Sequence, residues 1–117
     1  MRHTGIFSAA ALNALERECD AGEKVAQAKC KIARAGVARM RSINDLARSN
    51  FRDALELLRG QGETELEADC LSGLAEIARM QDENEKARGL YEQARDLYRR
   101  ANYPAGMAWC DRRLASL

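Results

Sequence analysis

Residues 60–99 read GQGETELEADCLSGLAEIARMQDENEKARGLYEQARDLYR, and sliding this stretch by its own length lays it onto its flanks. Cys30, Cys70 and Cys110 then coincide, as do Ala28, Ala68 and Ala108, and Ala35, Ala75 and Ala115. Ala38-Arg39-Met40 falls on Ala78-Arg79-Met80, Phe51 on Tyr91, and Ala14 on Ala54 and Ala94. Matches this numerous at one offset mean an internal repeat. A period in this range belongs to stacked supersecondary units, each too small to bury its own apolar face.

Working outward, the local patterns are helical. A first helix is expected over Ile6–Cys19, where Leu12, Leu15 and Cys19 form a stripe ended by Asp20-Ala21-Gly22. A second, Glu23–Arg41, carries the seam Ala26, Cys30, Ala33, Val37 and Met40 at the alternating spacing of one helix face. Ser42 with Asp45 reads as the capping box of a third helix reaching Arg59, and Asp82 with Glu85 repeats the device. Gly60-Gln61-Gly62 breaks the chain, and Thr64 with Glu67 opens a fourth helix to Met80. On it Leu66, Cys70, Gly73, Ile77 and Met80 are joined by Leu71, Leu74 and Ala78, a face wide enough to pack on two sides. The fifth helix, Glu83–Ala101, buries Ala87, Leu90, Tyr91, Ala94, Leu97 and Tyr98, and Pro104 starts a sixth. The expected fold is all-α: about six helices in a right-handed stack of antiparallel pairs. As one domain over 1–117 it divides into a half repeat 6–22, repeats 23–62 and 63–102, and a half repeat 103–117.

Composition agrees with a helical protein packed on Ala and Leu: 32% charged, 5% aromatic and one Pro. The net charge of +1 gives no field to draw in nucleic acid or a membrane. Locally it is uneven. Residues 29–59 carry eight cations against three acids, and residues 60–98 four against ten. The basic run leaves electrostatic nucleic-acid binding as a weak alternative, and the opposed signs allow copies of the chain to meet. Four cysteines without CxxC spacing do not form a zinc motif, and three at one repeat position imply a buried structural slot. A reducing compartment, the cytoplasm, is the expectation that follows. The N-terminus is a poor secretory signal, since Glu16-Arg17-Glu18 stands where small residues are wanted.

At these residues the chain resembles the tetratricopeptide repeat (TPR) family. Ala68, Leu71, Leu74 and Ala75 take the places of a first TPR helix, and Ala87, Tyr91 and Ala94 the small, aromatic and small places of the second. Ala35, Ala47, Phe51 and Ala54 match one repeat earlier. The period is longer than the usual one, Lys31 and Arg34 stand at large apolar places, and the proline after the second helix is absent. HEAT and armadillo repeats remain a minor alternative. The resemblance implies a scaffold that binds a protein or peptide in a concave groove lined by the first helix of each pair. That groove would hold Lys29, Asp69, Ser72, Glu76, Trp109, Arg112 and Arg113. The places of a chaperone-tail carboxylate clamp hold Ile32, Gly36, Ser72 and Glu76, so that ligand is not expected.

Catalysis has little to work with. His3 is the one histidine, and no phosphate loop or metal-ligand spacing occurs. No enzyme activity and no cofactor are expected. Trp109 points away from the core slot of Cys110 and is either a partner anchor or a cover for the last repeat. The apolar ending Leu114-Ala115-Ser116-Leu117 suggests self-association, a homodimer in the simplest case.

Overall fold

The computed structural model describes residues 23–117. Among these every regular element is an α-helix: α1 (Lys24–Met40), α2 (Asn44–Leu58), α3 (Thr64–Met80), α4 (Asn84–Arg100) and α5 (Pro104–Ala115). The helix expected over Ile6–Cys19 lies outside the described residues. Successive helices start at evenly spaced positions: 24, 44, 64, 84 and 104. Each sequence repeat is therefore two equal helical half-steps. The described residues divide into two compact units, one ending at Arg59 and the other Gly60–Leu117. In the first, α1 packs on α2. In the second, α3 packs on α4 and α4 on α5.

The turns correct the expected capping boxes. Ser42 and Asp82 do not cap the helices after them. Both sit in the left-handed region at φ 62°, as does Asn102 at φ 58°. Each closes the preceding helix. The amide of Ser42 donates to the Arg39 carbonyl and that of Ile43 to Ala38, a pair repeated from Asp82 and Glu83 to Arg79 and Ala78. It recurs from Asn102 and Tyr103 to Arg99 and Tyr98. This is the Schellman arrangement, which satisfies the last carbonyls of a helix. Residue types that bond their own backbone make both N-caps and left-handed turns, so the pattern fitted either role. Thr64 is already helical, and its N-cap Glu63 makes no side-chain capping bond. Between α2 and α3, Gly60 and Gly62 do take the left-handed conformation, at φ 75° and 74°.

Burial confirms the wide face of α3 and the inner face of α4, and corrects the seam of α1. On α1 the buried residues are Ala28, Arg34, Ala35 and Ala38, while Ala26, Ala33 and Met40 are exposed. Met80 ends α3 exposed as well, at 47%. The helical spacing holds, but the stripe is rotated from the one expected, because the alanines and not the sulfur side chains define it. Cys70 and Cys110 are buried free thiols. Cys30 is different: half-buried and disulfide-bonded, its sulfur is covalently paired instead of packed. The three cysteines therefore do not share one slot.

In the second unit Ala68, Ala94, Tyr98 and Cys110 form one apolar cluster, and Ala75, Ala78, Ala87 and Tyr91 another. Alanine at the contacts lets the helices approach closely. Gly106 goes further. A Cβ there would lie 2.6 Å from the Tyr98 ring, so only glycine seats α5 on α4 at this distance.

Candidate functional site

The second unit brings six of the seven expected groove residues onto α3 and α5. Asp69, Ser72 and Glu76 stand on α3, and Trp109, Arg112 and Arg113 on α5. Lys29 is in the first unit, exposed on α1 at the repeat position of Asp69 and Trp109.

Between these groups stand two tyrosines of α4 that sequence reasoning assigned to the core alone. The Tyr98 hydroxyl donates to Asp69 Oδ1 at 2.5 Å and lies 3.2 Å from Ser72 Oγ. The Tyr91 hydroxyl donates to Glu76 Oε2. The two acids share the spacing of the two tyrosines, so two turns of α3 face two turns of antiparallel α4. Each ring packs in an apolar cluster while its hydroxyl reaches a partner, as a buried phenol requires.

Glu76 is 6% exposed and is the most enclosed charge of the site. Arg79 Nη2 donates to its Oε1 at 3.0 Å, and Arg113 Nε stands 3.0 Å from Oε2 as an ion pair without hydrogen-bond alignment. Burial alone would raise its pKa. The Tyr91 and Arg79 hydrogen bonds and the Arg113 and Arg79 charges outweigh burial and hold the carboxyl below the usual glutamate value. For Asp69 burial wins over the Tyr98 hydrogen bond, with the Glu65 charge adding to it, and the pKa is raised. Burial and the Glu76 hydrogen bond push the Tyr91 phenol up to about 12.

Trp109 stands over Tyr91 edge-on, ring centroids 5.8 Å apart, and the Arg113 guanidinium lies 5.4 Å from the indole centroid. The indole packs against both apolar clusters yet stays half-exposed. Two surface clefts meet at Trp109 and Arg112. One, of about 310 Å³, is walled by Asp69, Tyr98, Tyr103 and Gly106. The other, of about 360 Å³, is walled by Arg113 and Ser116. The first unit has a cleft of about 480 Å³ among Lys24, Gln27, Lys31, Asp53, Glu56 and Leu57, with no aromatic wall.

The thiols of this unit are held far from reactivity. Burial pushes the Cys70 thiol up to about 12, with Asp69 and Glu67 adding to it, and the Cys110 thiol up to about 11, far from a reactive thiolate. Glu76 is held ionised by two cations. No group of three or more His, Cys, Asp or Glu among the described residues could hold a metal ion. No described helix is long and apolar enough to cross a membrane. The basic run is also less available than its count suggests. Arg34 is buried and donates to Asn50 Oδ1, Arg48 pairs with Asp45, and Arg59 pairs with Glu56.

The missed tyrosines had a signal inside the chain. One repeat earlier, Asp69 and Glu76 become Lys29 and Gly36, while Tyr91 and Tyr98 become Phe51 and Leu58. Hydroxyl and acceptor vanish together. Conversely, the buried Arg34–Asn50 pair of the first unit becomes Leu74 and Leu90 in the second.

A family model described as tetratricopeptide repeat matches residues 25–100. No curated protein and no solved structure matches the chain.

Proposed function

The chain belongs to the tetratricopeptide repeat family, whose repeats generally mediate protein–protein interactions; from that premise we propose that its second unit holds a peptide segment of a partner across α3 and α5. The observation that carries this reading is Trp109. It is half-buried between two clefts, stacked by Arg113, and braced from below by Tyr91. Binding energy at interfaces concentrates in such anchored Trp and Arg residues. Arg112 and Arg113 would receive an acidic or carboxylate group of the partner, and Asp69 with Ser72 a donor. Glu76 fixes Arg113 and contributes through it. Lys29, in the first unit, is a separate candidate contact for a partner.

The test is a peptide-display selection on the full chain, followed by calorimetric titration of enriched peptides. Enriched sequences should carry an acid, and Arg113→Ala should weaken them by at least about tenfold. Peptides that bind Trp109→Ala and Arg113→Ala as tightly as the parent would overturn the reading.

A further inference from the structure

Two acids of α3 stand in related settings, and only one of them is answered by cations. Glu76 accepts from Tyr91 and is neutralised by Arg79 and Arg113, and the Arg113 guanidinium lies against the Trp109 indole at the same time. Asp69, two turns earlier on the helix, likewise accepts from a tyrosine, through Oδ1 from Tyr98. Its Oδ2 has no hydrogen bond or ion pair among the described residues. Burial and the Glu65 charge outweigh the Tyr98 bond and act against its ionised form, a demand that no neighbouring cation meets. Asp69 lines the cleft of about 310 Å³, together with the rings of Tyr98, Tyr103 and Trp109. The Tyr98 and Tyr103 centroids lie 5.6 Å apart, which makes one firm aromatic wall. Arg112 also lines this cleft, yet it forms no ion pair with Asp69.

The cleft is open for a reason that the repeats supply. Trp109 occupies the repeat position of Asp69 and Lys29. Lys29 is exposed on α1 and Asp69 half-exposed on α3, although α1 packs on α2 and α3 on α4. A helix that packs on the first one of its pair thus leaves this position uncovered. We propose that the cleft takes a basic side chain, lysine or arginine, of the bound peptide, which pairs with Asp69 Oδ2 and lies against the Trp109 and Tyr103 rings. The proposal rests on the reading that a peptide crosses α3 and α5, and it names the chemistry of that peptide. A carboxylate and an indole hold the incoming cation together, the combination that Arg113 already meets in Glu76 and Trp109. Arg112 sets a second requirement. A lone cation in the cleft would meet its charge, so an acid must accompany the basic residue and pair with Arg112. The preferred peptide is therefore dipolar, with a basic and an acidic residue side by side, and not simply acidic.

Peptides selected from an unbiased library on the full chain test it. Each is titrated by calorimetry beside a copy in which norleucine replaces its Lys or Arg, keeping an apolar stem and deleting the charge. Selected peptides should carry Lys or Arg next to their acid, and norleucine should weaken binding by about tenfold. Asp69→Asn, whose amide oxygen can still accept from Tyr98, should weaken the unaltered peptide about as much. On that variant the norleucine penalty should shrink to about twofold or less, because both changes remove the same pair. Arg112→Gln should keep the norleucine penalty and erase the preference for the acid. Acidic peptides without a basic neighbour, or a norleucine penalty as large on Asp69→Asn as on the parent, would overturn the proposal. The groove reading survives those results as long as Trp109→Ala and Arg113→Ala still weaken binding. Peptides indifferent to Trp109→Ala and Arg113→Ala, or a selection that enriches nothing, would overturn that reading and this proposal with it.

Discussion

Single residues set the beat of this chain, and three do so in a conformation that costs them. Ser42, Asp82 and Asn102 close helices at positive φ without being glycine. A left-handed L-residue costs roughly 1–2 kcal/mol, and glycine would forgo that while losing about 0.5–1 kcal/mol through its freer unfolded chain. Ser42→Gly should therefore stabilise the first unit by up to about 1 kcal/mol. Asn102→Gly should gain less, because asparagine tolerates this region better than serine. Thermal or urea melts of the two variants check the order, and equal or reversed gains would contradict it. These turns were the least legible part of the sequence. The pattern that starts with Ser42 and reaches Asp45 satisfies an N-cap and a left-handed turn equally. Only the paired bonds from Ser42 and Ile43 to Arg39 and Ala38 decide between them.

At the scale of the helix pair, the same architecture buries two different polar sets. α1 and α2 enclose Arg34 with Asn50, and α3 and α4 enclose Glu76 with Tyr91 and Asp69 with Tyr98. In each set donor meets acceptor, because a buried polar group left alone costs more than a matched pair returns. The helices themselves were legible, since Ala68, Ala75, Ala87, Tyr91 and Ala94 mark the packed faces directly. The polar sets were not, because each residue taken singly reads as either core aromatic or surface acid. A double-mutant cycle of Glu76→Gln and Tyr91→Phe should give a coupling of about 1–3 kcal/mol at neutral pH. Its pH dependence has a definite sign. The folded Glu76 pKa lies below its unfolded value. Its contribution is therefore present above the unfolded pKa and lost as pH falls through the folded one. Asp69, with its folded pKa raised, acts oppositely and loses its contribution as pH rises through that value. Additive substitutions, or a coupling that survives in acid, would contradict the assignment.

Over the whole molecule, the claim on which the rest stands is that one helix pair is built repeatedly, with helices beginning at the evenly spaced positions 24, 44, 64, 84 and 104. The offset among Ala28, Ala68 and Ala108 made that period legible, because packed small residues tolerate little drift. What those positions bury was less legible. Ala28 and Ala68 are buried while Ala108 is exposed, and Cys30 is bonded where Cys70 and Cys110 are packed. Amide hydrogen exchange of the intact chain, resolved by residue, reads the period most directly. The account predicts protected runs over 24–40, 44–58, 64–80 and 84–100, interrupted by fast exchange near 41–43, 59–63, 81–83 and 101–103. Protection that crosses those breaks, or that recurs at uneven intervals, would contradict it.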